Sequence, residues 1–148
     1  MMEKIDKQKQ GKKNKASGRV FELKVRHNLE SEGWIVAKWT NNVENGKLVP
    51  AKHKFNPFSK VMTMGTGFPD FIAHRRSKCK ECSEFCGYEV IGVEAKSNRY
   101  LDKAEKDKVE WLLNNHIFAY ILIASKSKNK KDGKIIYNQQ MKGGTQTK

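Results

Sequence analysis

Long apolar runs and acidic residues are both scarce in this chain of 148 residues. No stretch approaches the roughly 20 apolar residues of a membrane-spanning helix, so we expect no membrane association. Asp and Glu number 16 against 30 Lys and Arg, which gives a formal net charge of +14. Such an excess of positive charge favours a polyanionic partner, and nucleic acid is the commonest one.

Cysteine is scarce as well. The chain has three cysteines, and all of them lie within residues 79–86. An odd, clustered set argues against a disulfide framework and favours a reduced compartment or a metal clip. An export signal is also missing, since the lysine-rich residues 1–16 are not followed by an apolar segment. We therefore expect a cytoplasmic protein with one compact domain.

Residues 1–16 consist mostly of Lys, Gln, Asn and Gly, and we expect a basic flexible arm there. The ordered domain is predicted over residues 17–137, followed by a polar tail over 138–148. Ser17 is a plausible N-cap for a first helix that ends near Glu32. The residues of its buried stripe recur at four-residue spacing and are Phe21, Val25 and Leu29.

Aromatic and β-branched residues predict a first strand over 34–39. Residues 41–66 show neither helical nor strand periodicity and are predicted as a long loop. The second strand is predicted from Asp70 to His74 and the third from Tyr88 to Ala95 or Lys96. The segment between them, 75–87, would be an elaborated hairpin connection that carries the cysteines.

Asp102 is a plausible cap for a second helix that ends near Asn114 and turns Val109, Leu112 and Leu113 inward. The apolar run 117–123 predicts a strand buried on both faces. A basic loop over 125–134 and a short edge strand over 135–137 follow. This order of elements predicts an α/β sandwich with a mixed central β-sheet flanked by helices.

Three charged residues sit where two predicted strands would meet. Successive side chains of a strand point to opposite faces, so Glu94 and Lys96 would emerge on the same face. Pairing with the strand that begins at Asp70 would bring all three together at one sheet edge. The alternatives are an exposed ion pair for Glu94 and Lys96 and a turn start for Asp70.

Carboxylates that converge repel one another, and a hard divalent cation such as Mg²⁺ or Mn²⁺ relieves that repulsion. Glu22 on the first helix is a third candidate carboxylate, although a helix N-terminal position also favours an acid for electrostatic reasons alone. A bound cation can lower the pKa of its water and polarise a phosphoryl oxygen. An adjacent lysine, Lys96, could orient the water or hold the phosphate.

These residues resemble the PD-(D/E)xK nuclease superfamily, which has a restriction-endonuclease-like fold. Pro69-Asp70 and Glu94-Ala95-Lys96 match its motif, and Glu22 matches the glutamate of its preceding helix. The resemblance implies that Asp70, Glu94 and the Ala95 carbonyl ligate the metal. It further implies that Glu22 binds through water and that Lys96 serves the nucleophile.

The spacing of residues 17–22 ahead of 33–36 is most similar to that of the archaeal Holliday junction resolvases. That resemblance implies structure-selective cleavage of branched or duplex DNA in recombination or repair. Enzymes that cut two strands are commonly symmetric, so we expect a homodimer. The alternative function is a non-catalytic, basic nucleic-acid-binding module with a zinc-stabilised hairpin.

The cysteines have spacing that fits a zinc clip, and they are Cys79, Cys82 and Cys86. Tetrahedral zinc needs a fourth ligand, for which His74 is the nearest candidate and His53 a more distant one. The alternative is three reduced thiols on a loop. If zinc binds, we expect a structural role in stapling the connection between the second and third strands.

Overall fold

A computed structural model of the chain describes residues 2–63, 65, 67–78, 85–129 and 132–147. The two helices are α1 (Met2–Ser31) and α2 (Lys103–Asn114). The strands before α2 are β1 (Ile35–Lys38), β2 (Asn41–Glu44), β3 (Lys47–Pro50), β4 (Lys54–Asn56), β5 (Val61–Thr63), β6 (Phe71–Lys78) and β7 (Phe85–Ala95). The strands after it are β8 (Ile121–Lys126), β9 (Ile135–Met141) and β10 (Gly144–Thr147).

Six strands form one central sheet in the order β1-β6-β7-β8-β9-β10. β7 and β8 are parallel and are connected through α2, whereas every other neighbouring pair in this sheet is antiparallel. The long connection through a helix is what parallel neighbours require. The predicted α/β class with a mixed central sheet is therefore confirmed.

The sheet separates two hydrophobic clusters, because alternate residues of each strand face opposite sides. On one side α1 packs its predicted stripe of Phe21, Val25 and Leu29 against β-strand residues that include Ala73 and Val93. On the other side Val109, Leu112 and Leu113 of α2 pack against four further buried residues: Phe68, Phe118, Ile121 and Ile123. Both helices are thus held by the burial of one apolar face.

The second helix begins where the sequence predicts. Asp102 accepts a hydrogen bond from the Glu105 backbone N–H at 2.8 Å, and the Glu105 side chain accepts one from the Asp102 N–H at 3.0 Å. This reciprocal capping box satisfies two N–H groups that the helix leaves unpaired. The predicted inward residues Val109, Leu112 and Leu113 are buried.

The first helix is longer than predicted. It begins at Met2 rather than at Ser17, so residues 2–16, which we predicted as a flexible arm, belong to α1. Lys and Gln are good helix formers, and no proline interrupts the segment. A cap residue such as Ser17 therefore does not start a helix when the preceding residues can themselves be helical.

The segment 41–66 is not the structureless loop that we predicted. β2 pairs with β3 and β4 pairs with β5, so the segment folds into two short antiparallel hairpins. Asn45 and Gly46 turn the first hairpin, and both have positive φ. Asn-Gly is a strong hairpin signal, but strands of three or four residues are too short to show a clear alternating pattern.

Several predicted strand boundaries are also wrong. β6 continues to Lys78 and β7 starts at Phe85, so both ends of the predicted connection 75–87 are strand. β8 starts at Ile121 rather than at residue 117. The predicted polar tail contributes the end of β9 and all of β10, and β9 is not the edge strand because β10 pairs with it. Polar residues can form such strands because backbone hydrogen bonds make the ladder.

Neither helix of the described residues combines the length and the apolar character needed to cross a membrane.

Gly92 on β7 determines how closely the chain before β6 approaches the sheet. A Cβ atom at this position would lie 2.8 Å from Pro69 Cγ and 3.2 Å from side-chain atoms of Ile121 and Phe118. Cβ atoms do not pack that closely, so only glycine lets Pro69 lie on the strand. The residue after that proline, Asp70, is positioned by this contact.

We expect Gly92→Ala to lower the free energy of unfolding by roughly 1–3 kcal/mol, because it overpacks a close contact. Urea unfolding followed by circular dichroism measures the change. Gly18→Ala is the matched control, since a Cβ at Gly18 meets no atom within 4 Å. That control should raise the stability of α1 by about 0.5–1 kcal/mol. Equal effects of the two substitutions would contradict the close-packing role.

Candidate functional site

Asp70 and Glu94 come together because of the register between β6 and β7. Phe71 is paired with Val93 in the antiparallel ladder, and continuing that register by one residue places Asp70 opposite Glu94. The Asp70 N–H donates to Glu94 Oε2 at 3.0 Å, and the Ala95 N–H donates to Asp70 Oδ2 at 2.9 Å. Each carboxylate is therefore held by a backbone N–H from the opposing strand end.

Glu94 is buried and Asp70 is half-buried, in an environment that opposes the ionisation of both. Glu94 is only 6% exposed. Burial, followed by the charge of Asp70, raises the pKa of Glu94 to about 8. Burial is also the main cause that raises the pKa of Asp70, and the charge of Glu22 adds to it. Two such carboxyl groups share a site in which positive charge would favour their ionised forms.

Lys96 supplies a cation at this sheet edge. Its Nζ lies 3.6 Å from Glu94 Oε1 and donates a hydrogen bond to Glu105 Oε1. Burial by itself lowers the pKa of Lys96, but the hydrogen bond and charge of Glu105 and the charge of Glu94 outweigh burial and raise this pKa. Lys96 is therefore a charged group fixed between the end of β7 and the start of α2.

Glu22 is half-buried on α1. Its charge raises the pKa of Asp70, so it lies within electrostatic reach of that carboxyl group. The hydrogen bonds of the described residues do not join it directly to Asp70, Glu94 or Lys96. The structure therefore brings Asp70, Glu94 and Lys96 into direct contact and leaves Glu22 at the periphery.

The donor set fits a hard divalent cation. The backbone hydrogen bonds use one oxygen of each carboxylate, Asp70 Oδ2 and Glu94 Oε2, and leave Asp70 Oδ1 and Glu94 Oε1 out of these two bonds. The Ala95 carbonyl lies on the same strand end. Within the described residues, no three His, Cys, Asp or Glu side chains lie close enough to bind one metal ion. Mg²⁺ commonly binds through one or two carboxylates and retains several waters, so a pair of acids is sufficient.

The predicted zinc site stays a prediction. Cys79 and Cys82 lie outside the described residues, and for Cys86 only the backbone, in β7, is described. His74 is half-buried on β6, where its ring makes an edge contact with the ring of Tyr88, with centroids 6.0 Å apart. His53 is exposed between the two hairpins.

Two charged residues at this site were missed by sequence reasoning. Glu105 was recognisable as part of an Asp102-x-x-Glu105 cap, but that pattern indicates a helix start and says nothing about Lys96. Lys38 ends β1, and its charge lowers the pKa of Asp70. The sequence could not show that Lys38 lies near Asp70, because this proximity depends on the pairing of β1 with β6.

In comparisons with known proteins, no family model, no curated protein and no solved structure matches this chain.

We expect the metal-free protein to lose stability as the pH rises from about 5 to 8. The pKa of Glu94 is raised from 4.5 to about 8 in the folded state, so over this window the folded protein binds more protons than the unfolded chain. One such proton lowers the free energy of unfolding by at most about 1.4 kcal/mol per pH unit. Urea unfolding in EDTA at several pH values measures this slope.

Glu94→Gln does not titrate and should flatten that slope. Glu110→Gln, on the exposed side of α2, is the control and should keep it. If the free energy of unfolding of the wild-type protein rose relative to that of Glu94→Gln between pH 5 and 8, the raised pKa of Glu94 would be contradicted.

We expect Glu105→Gln to lower the pKa of Lys96, because it removes the charge and the strong acceptor that raise it. Glutamine is accepted at the third position of a capping box, so α2 should retain its start. Carbon-detected NMR titration of the Lys96 side chain measures the pKa. Glu110→Gln serves again as the control, and an unchanged Lys96 titration in Glu105→Gln would show that the ion pair is not formed in solution.

Proposed function

We propose that this protein is a divalent-metal-dependent endonuclease that hydrolyses phosphodiester bonds in DNA, with a restriction-endonuclease-like fold. The observation that carries the proposal is that buried Glu94 faces half-buried Asp70 at the ends of adjacent strands, with Lys96 beside Glu94. A structural ion pair would need one acid, whereas two facing carboxyl groups with raised pKa values are typical of functional sites. The PD-(D/E)xK pattern has this same arrangement.

The chain's residues have distinct roles in this proposal. Asp70, Glu94 and the Ala95 carbonyl would hold Mg²⁺ or Mn²⁺, with Glu22 acting through water. When bound, the metal supplies a water of lowered pKa and neutralises charge on the phosphate. Lys96 holds the attacking water or the scissile phosphate through its ammonium group, and Glu105 keeps Lys96 charged and in place.

DNA is the substrate class that the charge favours. A net charge of +14 provides the electrostatic attraction to phosphates that non-specific DNA binding requires. Within this proposal, branched DNA such as a Holliday junction is the leading substrate. Cleavage of two strands would be carried out by a homodimer, in which each protomer contributes one site.

The competing function is a non-catalytic, basic DNA-binding module. The ion pair of Lys96 with Glu105 favours it, because that contact gives Lys96 a structural partner at the start of α2. Such a module would need the positive charge but would not need Asp70 and Glu94 to face each other.

We expect the purified protein to cleave DNA in Mg²⁺ or Mn²⁺, and Asp70→Asn, Glu94→Gln and Lys96→Met each to lower the rate by roughly 10²–10⁴-fold. The physical reason is the loss of a metal-holding carboxylate or of the ammonium group at the phosphate. Gel assays on branched, duplex and single-stranded DNA of matched sequence measure the rates.

Asp107→Asn is the matched control, because it removes an exposed acid from α2 outside the site. It should cleave at the wild-type rate. DNA binding without cleavage of any substrate in either metal would favour the binding module, and full activity of Asp70→Asn would exclude the proposed site.

A further inference from the structure

The second hairpin of the 41–66 segment exposes an apolar surface. Phe55 and Met62 are cross-strand partners on β4 and β5, so their side chains share one face, and they are 60% and 58% exposed. Phe58 lies in the turn between the strands and is 97% exposed. We call Phe55, Phe58 and Met62 the hairpin ridge. It places an almost fully solvated aromatic ring at the end of a projecting hairpin.

The turn that carries Phe58 has a defined shape. Asn56 Oδ1 accepts hydrogen bonds from the backbone N–H of Phe58 at 3.0 Å and of Ser59 at 3.4 Å. At the other end of the hairpin, the Thr63 hydroxyl donates to the Lys54 carbonyl at 2.9 Å. Local side-chain bonds of this kind fix a turn without help from a hydrophobic core. The ring is therefore presented by the turn itself.

The hairpin is attached at the sheet edge that holds Asp70 and Glu94. The whole excursion leaves after β1 and returns just before β6, and the Trp39 N–H donates to the Asp70 carbonyl at 3.0 Å. The end of the excursion packs closely on its start, because a Cβ at Gly67 would lie only 2.5 Å from the Asn41 carbonyl oxygen. Close backbone contact thus ties the base of the excursion to the site.

Charge indicates what the hairpin ridge would contact. The sequence has no acidic residue between Glu44 and Asp70, whereas the same interval contains lysines that include Lys52, Lys54 and Lys60. Lys52 forms an ion pair with Glu44 at 3.2 Å, whereas Lys54 and Lys60 lie on the hairpin itself and are its only charged residues. An apolar ridge on a hairpin whose charged residues are all positive is well matched to nucleic acid, whose bases present apolar faces between phosphates.

We propose that the hairpin is a wedge whose Phe58 ring stacks on an unpaired base of the DNA substrate, next to the cleavage site. This inference rests on the proposed function for its substrate. Bases within a continuous duplex stack on one another, so the wedge would have to unstack them at a cost in free energy. An unpaired base is already free of its pairing partner, so stacking Phe58 on it costs less. The wedge therefore selects branched or single-stranded regions over continuous duplex.

Binding in EDTA tests the wedge apart from cleavage. Fluorescence anisotropy would compare a continuous duplex, the same duplex with one unpaired base, and its single strand. We expect Phe58→Ala to weaken binding to the unpaired-base and single-stranded DNA by roughly 5- to 100-fold, as expected for one base stacked on an aromatic ring. Continuous duplex should bind within about twofold of wild type, because exposed surface changes have small effects.

Further variants separate stacking from general hydrophobic contact. Phe58→Trp should retain tight binding because it keeps a ring, and Phe58→Leu should bind as weakly as Phe58→Ala. Val61→Ala, on the opposite face of the same hairpin, is the matched control and should match wild type. 2-Aminopurine at the unpaired position should change its fluorescence with wild type and not with Phe58→Ala.

Four results would overturn the wedge: no DNA binding by wild type, equal losses on all three DNAs, no loss with Phe58→Ala, or rescue by Phe58→Leu. Sedimentation velocity tests a fifth result. If wild type were a dimer and Phe58→Ala a monomer, the hairpin ridge would be a contact between copies of the chain, and the wedge would be wrong. Binding with these preferences but without cleavage in Mg²⁺ or Mn²⁺ would instead reject the nuclease function and retain the wedge.

Discussion

The antiparallel register between β6 and β7 is the constraint on which the rest of the site depends. It places Asp70 opposite Glu94, and the backbone N–H groups of Asp70 and Ala95 then bond the two carboxylates across the strand ends. A shift of one residue would turn every side chain of one strand to the other face. The buried residues on both sides of the sheet prevent that shift, so the core determines the site geometry.

This arrangement carries an energetic conflict. Glu94 is buried beside half-buried Asp70, and desolvation raises the pKa of both carboxyl groups. The backbone N–H donors and Lys96 offset part of that cost, and Glu105 in turn holds Lys96 at the start of α2. A site in which acids resist ionisation until positive charge arrives is well suited to a metal and to an anionic substrate. The same conflict has no evident benefit for stability alone.

The topology also connects the two small hairpins to the strand ends that carry the site. β1 ends, β6 begins and β7 ends at the same sheet edge, and the two small hairpins of the 41–66 segment depart from it. The two acids therefore lie where the excursion that carries the hairpin ridge leaves and rejoins the sheet. In the proposed function, the strand ends carry out the chemistry and the hairpin ridge selects the substrate.

The sequence by itself determined the elements whose residues carry a strong local pattern. The stripe of Phe21, Val25 and Leu29, the cap at Asp102 and the strand that leads up to Glu94 were readable from the sequence, because periodicity and capping are local. The pairing of that strand with the one that follows Asp70 was a hypothesis, which the register between β6 and β7 confirms. The extension of α1 to Met2 follows from local helix propensity, which the prediction of a flexible arm underestimated. Tertiary structure alone decided the hairpins within 41–66 and the strand β10, since weakly patterned strands are specified by their hydrogen-bonding partners. It also decided the contacts of Lys96 with Glu105 and the proximity of Lys38 to Asp70. Those depend on which strands and helices become neighbours, and that is a property of the whole packed sheet.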